Sequence, residues 1–416
     1  MQTNTQTIIG KRYIVVNKLG EGGMGTVYRA IDRLTGQFLA LKQVTTATER
    51  LVFTTLTSES TDLRLSLARE FQMLSSLRHP NIIGVRDYGF DELRQPYFTM
   101  DLLENAQTII EAGRGQSIDT KSDLLTQLLQ ALVYLHRRGI LHRDLKPNNI
   151  LVVNGQIKVL DFGLSAARDQ RETASESVVG TLAYMAPEVL RSDPISEVTD
   201  LYTIGVIAYE LFTGKHPFET VSVSKLMADI LNSEPSLSGF EASAVQAALS
   251  AESAKWYDGV GDDMVQVEGS DLSDQQRQAL SAVIRRLLSK APEERYPTAQ
   301  ATIIALNKAV DRPIPPEAAA IRESFLQAAP MIGRDKESNY LLSTLNRMFQ
   351  GSGSSWLIGG ESGVGKSRLL SETQTQGLVR GALVVRGQAV SEGGAPYHVW
   401  RDVLRLPALL VDLEDA

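Results

Sequence analysis

The sequence predicts an α+β chain in which a strand-rich lobe is followed by a larger helical lobe and then by a separate α/β unit. Short β-branched and aromatic runs, separated by glycine-rich turns, occupy the first part of the chain. From Lys121 onward, leucines recur at the spacing of a helix. Prolines break this pattern between Asp311 and Pro330, which predicts a domain boundary there.

Length and composition limit the class of protein. The 416 residues are enough for two or three domains, and 43% apolar with 22% charged residues is typical of globular chains. A net charge of −7 argues against a protein that coats nucleic acid, and the absence of cysteine excludes disulfides and thiolate chemistry. No apolar run reaches about 18 residues. Because Met1–Thr7 is also polar, we expect no membrane segment, no signal peptide and a cytoplasmic location.

The first lobe is predicted to hold three early strands and one helix. The strands are expected at Tyr13–Leu19, Thr26–Ile31 and Phe38–Val44. Apolar residues at helical spacing predict a helix over Leu63–Leu77. The helix ends at His79-Pro80, because a residue before proline avoids the α region.

The second lobe is predicted to be mainly helical. Leucines from Leu124 to Leu135 line one face of its first helix, and Gly139 is a stop signal. Further helices are expected at 197–213, 222–231, 273–289 and 297–310. An acidic insertion at 239–274 interrupts the lobe; it is either a solvated segment or a docking surface for a basic partner.

A glycine-rich turn lies between the first two predicted strands. Gly20 to Val27 reads G-x-G-x-x-G-x-V, and such a loop can bind a polyphosphate through its N–H groups or serve only as a hairpin turn. A strand rather than a helix follows it, which disfavours a dinucleotide site. Lys42 on the third strand and Glu70 on the predicted helix could pair, although each taken alone is an ordinary surface charge.

The most specific motifs lie in the second lobe. His142-Arg143-Asp144-Leu145-Lys146-Pro147-Asn148-Asn149 follows the leucine-rich helix, and Asp161-Phe162-Gly163 and Ala186-Pro187-Glu188 come after it in order. Together with the glycine loop and Ala40-Leu41-Lys42, this set resembles the eukaryotic-type serine/threonine protein kinases over about residues 10–310. The resemblance implies a two-lobed kinase fold, a β-rich N-lobe and a helical C-lobe with ATP between them.

The resemblance also implies roles for single residues. Lys42 would hold the α- and β-phosphates and pair with Glu70, Asp144 would accept the proton of the substrate hydroxyl, and Lys146 would neutralise the transferring phosphoryl group. Asn149 and Asp161 would hold Mg²⁺. Leu102-Leu103 would form the hinge that meets adenine, and Glu188 would pair with Arg295. The remaining nucleotide contacts would be Gly20, Gly22, Gly25, Val27, Ala40, Asp101, Leu103 and Leu151.

The implied function is transfer of the ATP γ-phosphate to Ser or Thr hydroxyls of proteins in signal transduction. Lys146 and Gly180-Thr181 point to serine/threonine rather than tyrosine specificity. Autophosphorylation is expected in the segment 161–188, at Thr173, Ser175 or Ser177, where phosphate can pair with Arg143, and this implies self-association. The alternatives are a nucleotide-sensing scaffold, a small-molecule kinase and an inactive kinase.

A second phosphate loop follows the linker 311–330. Gly360 to Ser367 reads G-x-x-x-x-G-K-S, after a predicted strand at Trp356–Ile358 and before a helical run. Gly360, Gly365, Lys366 and Ser367 would bind a second nucleotide. Residues 331–416 resemble the start of an AAA-like ATPase module, by Ile332-Gly333-Arg334-Asp335 before the loop and Pro396-Tyr397 to Arg401 after it. No Walker B acid is found, since Leu409 to Asp412 reads as a helix or loop edge, so we expect a truncated module without hydrolysis.

Overall fold

The structure is a computed structural model, and it divides into two compact units. It describes residues 7–22, 25–44, 77–93, 95–160, 180, 182–220, 222–237, 272–314, 333–361, 364–379 and 382–385, with short pieces at 387, 397, 399–400, 403–404 and 407–408. The first unit is drawn from Met1–Leu77, Gly84–Leu102 and Leu326–Ala416. The second unit is drawn from Arg78–Ile83 and Leu103–Phe325.

A six-stranded antiparallel sheet forms the main part of the first unit. Its strands are β1 Ile8–Ile9, β2 Tyr13–Gly22, β3 Gly25–Asp32, β4 Phe38–Gln43, β5 Val85–Phe90 and β6 Pro96–Met100. They lie in the order β1-β2-β3-β4-β6-β5, each antiparallel to its neighbour. The three strands predicted from the sequence are confirmed as β2, β3 and β4.

The register of this sheet separates its two faces. Lys42 on β4 lies opposite Val27 on β3 and Phe98 on β6, and residues opposite each other in a sheet share a face. Ala40 lies two residues earlier and therefore points to the same side. Leu39 and Leu41 alternate with them and are buried in a cluster on the other face.

Helices build most of the second unit. They are α1 Ile109–Gly113, α2 Ile118–His136, α3 Pro187–Arg191, α4 Glu197–Thr213, α5 Val223–Asn232, α6 Asp274–Leu287 and α7 Ala299–Ala309. The helices predicted at 121–135, 197–213, 222–231, 273–289 and 297–310 are therefore confirmed within two or three residues. A small antiparallel sheet in the order β7-β8-β9 completes the unit, with β7 Gln107–Thr108, β8 Ile150–Val153 and β9 Gln156–Val159.

Helix α4 is the centre of the second unit. From Thr199 to Tyr209 every side chain of this helix is buried, so it has no solvated face. A helix stretch that is buried on all sides belongs to the interior of a protein. The leucines of α2 are buried as well, which agrees with the single apolar face predicted for them.

The C-terminal segment contains two helices, α8 Asp335–Phe349 and α9 Lys366–Val379. The predicted strand at Trp356–Ile358 is wrong, because residues 352–361 have neither helix nor strand geometry. Leu357 is 98% exposed, and Trp356 contacts the ring of Tyr340 edge-on at 4.9 Å. A strand requires a paired neighbour, and none lies beside this segment among the described residues.

Several predictions fall on other parts of the chain. The helix at Leu63–Leu77, except Leu77 itself, lies outside the described residues, as do residues 239–271 of the acidic insertion and residues 315–330 of the linker. The segment Leu409 to Asp412 is also outside them. In the part of the chain that is described, no helix is both long enough and apolar enough to cross a membrane.

Candidate active site

Two side chains bind one carboxylate in the loop after α2. Asp144 is buried, and Lys146 places its Nζ 3.0 Å from Oδ2 and 3.3 Å from Oδ1 of this residue. Asn149 donates its Nδ2 to the same Oδ2 at 3.1 Å and to the backbone oxygen of Asp144 at 2.7 Å. The structure therefore brings together three of the predicted site residues within one turn of the chain, where Pro147–Asn149 forms a 3₁₀ helix.

His142 holds the backbone of this loop. Its ring is fully buried, and Nε2 lies 2.9 Å from the carbonyl oxygen of Leu160. Because a carbonyl only accepts, Nε2 carries the proton, and Nδ1 accepts the N–H of Asp144 at 3.3 Å. The bond from Nε2 to Leu160 links the loop to the residue directly before Asp161.

Asp200 anchors the same loop from α4. Its carboxylate accepts the N–H groups of His142 at 3.0 Å and Arg143 at 3.1 Å, and it lies 2.9 Å from Nε2 of His136. The backbone of Arg143 is left-handed, with φ of 66°, which is an uncommon conformation for a residue with a Cβ atom. Asp200 therefore stabilises a loop conformation that the sequence alone does not favour.

The environment of Asp200 keeps it ionised. Burial opposes its charge, but the hydrogen bond from His136 and the bonds from the loop outweigh burial and lower the pKa of this carboxyl below its ordinary value. The sequence motifs do not include Asp200. An acidic residue at the start of an otherwise apolar helix was the signal that could have found it, because buried charges are rarely left without partners.

A pocket opens beside the catalytic loop within the second unit. Its lining includes Arg143 and Asp144 of this loop together with Tyr184, Met185 and Ala186. The last three residues immediately precede α3, so the segment before α3 lies next to the catalytic loop.

The ion pair implied for Glu188 and Arg295 is confirmed. Arg295 donates Nη1 and Nη2 to the two carboxylate oxygens at 2.6 and 2.8 Å, and both residues are buried. Burial raises the pKa of Glu188, but the hydrogen bonds from Arg295 outweigh it and lower this pKa below its usual value. The pair joins α3 to the chain before α7 and lies apart from the reacting groups.

The first unit carries the residues predicted to contact a nucleotide. Strands β2 and β3 meet in a hairpin in which Gly22 pairs with Gly25 and Gly20 pairs with Val27. Gly25 has φ of 132°, a backbone conformation that residues other than glycine rarely adopt. Val27 and Lys42 share one sheet face, with Ala40 beside them, and Lys42 is only 3% exposed. A lysine so deeply buried on an apolar strand is unusual for a surface charge.

Other predicted contacts are spread along the chain. Asp101 is exposed and accepts Nε of Arg86 at 2.5 Å, so its side chain is engaged within the first unit. Leu151 is half-buried on β8, opposite Thr108. One of the points at which the chain passes from one unit to the other falls between Leu102 and Leu103, the predicted hinge.

The residues expected to hold a metal ion are only partly described. Glu70 and Asp161 lie outside the described residues, so neither the Lys42–Glu70 pair nor the second metal ligand is tested. Asn149 fits the role, because its amide nitrogen is bonded to Asp144 and its oxygen is the atom left for a hard cation. Within the described ranges, no group of three or more His, Cys, Asp or Glu forms a ready-made metal site.

The second phosphate loop also has a defined geometry. Lys366 begins α9, and its Nζ donates to the carbonyl oxygens of Gly360 at 2.8 Å and Glu361 at 2.6 Å. Gly365 has φ of 90°, which favours glycine. Ser367 is exposed next to Lys366. The amine of Lys366 thus lies against the carbonyl groups at the start of the loop, while the backbone of this residue begins a helix.

Comparison with known families agrees with this geometry. The protein kinase domain model matches residues 13–304, well over half of the chain, and the chain therefore belongs to the protein kinase family. The predicted kinase fold is thereby confirmed. The AAA ATPase domain model matches residues 330–416, so the AAA-like unit predicted after the kinase is confirmed as well. Members of the kinase family use ATP and a divalent metal ion.

Individual relatives carry related names. A probable serine/threonine-protein kinase of Streptomyces coelicolor is 34% identical over 219 residues, covering 50% of this chain and 31% of that protein. The probable serine/threonine-protein kinase PknB of Lactococcus lactis is 32% identical over 51% of this chain and 33% of its own length. The chain thus spans about a third of these bacterial relatives. The PknI kinase domain of Mycobacterium tuberculosis is 22% identical, with 74% of this chain and 99% of that chain covered and a TM-score of 0.47.

Proposed function

We propose that this chain is a serine/threonine protein kinase that transfers the γ-phosphate of ATP to hydroxyl groups of protein substrates. The observation that carries the proposal is the cluster of Asp144, Lys146 and Asn149 in a family member. The names of the bacterial relatives support the serine/threonine class. Signal transduction and self-association for autophosphorylation belong to the same proposal.

The catalytic loop supplies the acceptor side of the reaction. Asp144 orients the substrate hydroxyl and accepts its proton as the oxygen attacks the γ-phosphorus. Lys146, whose Nζ is 3.0 Å from that carboxylate, places a positive charge where negative charge develops on the transferred group. Phosphoryl transfer needs positioned charge more than covalent catalysis. Hydrogen bonds that involve His142, Asn149 and Asp200 hold this loop in position.

The sheet supplies the nucleotide side. Lys42, paired with Glu70, would bind the α- and β-phosphates beneath the glycine hairpin of Gly20, Gly22 and Gly25. The adenine ring would pack against Val27, Ala40 and Leu151 and meet the backbone of Asp101 and Leu103. A mainly apolar lining with a few backbone hydrogen bonds suits a purine ring.

The metal ion in this proposal is Mg²⁺. Asn149 and Asp161 would hold it through oxygen atoms, which are the ligands that this ion prefers. Bound there, the ion would supply charge neutralisation of the phosphates. The proposed boundaries are a kinase domain over 10–310, a linker over 311–330 and an ATPase unit over 331–416, where Gly360, Gly365, Lys366 and Ser367 bind a second nucleotide.

Radiolabel transfer from γ-labelled ATP to the chain itself and to myelin basic protein tests the proposal. We expect Asp144→Asn to lose at least about a hundredfold of the wild-type rate, since the base is removed while size is kept. The matched control is Asp274→Asn, an exposed acid in the first turn of α6, which should transfer like the wild type. Equal labelling of wild type and Asp144→Asn would overturn the proposal and favour a nucleotide-sensing scaffold.

A further inference from the structure

The loop after α4 contacts the segment 182–185, which precedes α3 and contributes Tyr184 and Met185 to the pocket beside Asp144. His216 is half-buried in this loop, and its Nε2 lies 3.0 Å from the carbonyl oxygen of Ala183. Its Nδ1 lies 3.1 Å from the backbone nitrogen of Phe218. Nδ1 also lies 2.9 Å from the carbonyl oxygen of Phe218, so each ring nitrogen has a carbonyl group within hydrogen-bond distance. Because a carbonyl only accepts, the bond to Ala183 requires a proton on Nε2.

Ala183 belongs to the short segment 182–185 that precedes α3. Here two successive carbonyls are held by side chains from distant positions: His216 binds that of Ala183, and Thr203 of α4 donates its hydroxyl to that of Tyr184 at 2.9 Å. The ring of His216 also meets the ring of Tyr184 edge-on, with centroids 5.6 Å apart. The segment is therefore fixed at its backbone by the second unit's central helix and by the loop that follows it.

Packing reinforces these bonds. Ala183 is buried in one cluster with Phe218, Leu226 and Ile230, and the side chains of Leu182 and Tyr184 pack against this cluster. The loop that carries His216 and the segment that it binds therefore form one packed layer. Tyr184 also donates its hydroxyl to Glu210 at 2.6 Å, which fixes the ring that lines the pocket.

We infer that His216 is a positioning residue for the protein substrate: it holds the segment 182–185, whose Tyr184 and Met185 line the same pocket as Asp144. The inference rests on the proposed kinase function. Tyr184 and Met185 form part of the wall of the pocket that also contains Asp144, so a polypeptide whose hydroxyl reaches Asp144 would lie beside them. Loss of the bond to Ala183 loosens this wall before the polypeptide binds, and the cost falls on binding of the protein substrate rather than on binding of ATP.

Two conservative variants distinguish the roles of the two ring nitrogens. The amide nitrogen of Gln takes the place of Nε2, so His216→Gln keeps a donor for Ala183. Asn reaches only to the place of Nδ1, so His216→Asn loses that donor. Because one hydrogen bond is worth about 0.5–1.5 kcal/mol, we expect His216→Asn to raise the KM for myelin basic protein about three- to tenfold. We expect the KM for ATP to stay within about twofold and His216→Gln to match the wild type. The adjacent exposed residue gives the control Lys215→Ala, which should leave both KM values unchanged.

Amide hydrogen exchange in the full chain gives a readout that does not need turnover. Exchange in the peptide containing residues 182–185 should be faster in His216→Asn than in the wild type, and unchanged in His216→Gln. If the wild type is active but His216→Asn has unaltered KM values and unaltered exchange, the inference is overturned and the proposed function stands. Equal losses in His216→Asn and His216→Gln also overturn it. If the wild type is no more active than Asp144→Asn, the proposed function is overturned. The role of His216 in positioning a protein substrate is then overturned as well.

Discussion

Arg295 donates hydrogen bonds to both carboxylate oxygens of Glu188, although 107 positions separate the two residues in the chain. The guanidinium also donates to the backbone oxygens of Ser289, Val198 and Lys290, so its donors are satisfied in the interior. This arrangement fixes α3, and with it the pocket wall that precedes α3, to the helical core. A buried pair of this kind is costly to break on one side, because the remaining charge stays buried without its partner.

Glu188→Gln should destabilise the chain by about 3–5 kcal/mol, because it leaves the guanidinium of Arg295 buried without a counter-charge. The free energy of unfolding of the second unit, measured by chemical denaturation, checks this. Glu293→Gln changes an exposed carboxylate nearby and should have little effect. A loss below about 1 kcal/mol in Glu188→Gln would show that the pair is not a structural requirement.

The same pair predicts how stability depends on pH. The pKa of Glu188 is lowered in the folded state, so its ionised form contributes stability that is complete above its ordinary value of 4.5. This contribution is lost as the pH falls through the lower folded pKa. The difference in melting temperature between wild type and Glu188→Gln should therefore be constant from neutral pH down to about pH 5 and narrow below it. A difference that widened in acid would contradict the assignment.

Asp200→Asn should lower kcat about a hundredfold, since a displacement of about 1 Å at the reacting groups costs this much. The amide presents an NH₂ group toward the N–H donors of His142 and Arg143, so the loop shifts while Asp144 itself is kept. The KM for ATP should stay close to that of the wild type, with Asp274→Asn as the control. Parallel losses in ATP binding and kcat would mean that the variant has unfolded the unit.

Lys366→Ala should remove one of two nucleotide sites. Equilibrium binding of ATP should give about two molecules per wild-type chain and about one per variant chain, because the amine over Gly360 and Glu361 is the charge that meets a phosphate. The exposed Lys336 gives the control Lys336→Ala, which should bind as the wild type does. A wild-type stoichiometry of one would contradict a second site.

Phosphate should appear on the chain itself at one or more of Thr173, Ser175 and Ser177 after incubation with ATP. A phosphate there can pair with Arg143, whose side chain is exposed next to Asp144. Mass mapping of the wild type against Asp144→Asn checks this. Phosphate found equally in both, or found nowhere in the segment 161–188, would contradict autophosphorylation at these positions.

Regular patterns made much of the fold predictable from the sequence. Several helices begin at polar capping residues such as Ser273, whose side chain and that of Gln276 satisfy each other's backbone N–H groups. The leucines of α2 and the β-branched runs of β2 to β4 follow the periods of a helix and a strand. In the catalytic loop the motif itself identified Asp144, Lys146 and Asn149.

Contacts between distant positions were not predictable in the same way. Periodicity locates α4, but it does not tell that Asp200 binds the backbone 58 and 57 residues earlier. His216 and Thr203 were missed for the same reason, because their partners are carbonyl groups, which carry no sequence signal. The strand expected at Trp356–Ile358 failed because an apolar run forms a strand only where a neighbouring strand pairs with it.

The attachment of the catalytic loop to α4 has a consequence for its lifetime. Helix α4 is buried from Thr199 to Tyr209, so we expect it to belong to the part of the unit that opens only when the whole unit unfolds. The amide protons of His142 and Arg143 are bonded to Asp200 of this helix and share its protection. We therefore expect the catalytic loop to open on the timescale of global denaturation, not on the faster timescale of a surface loop.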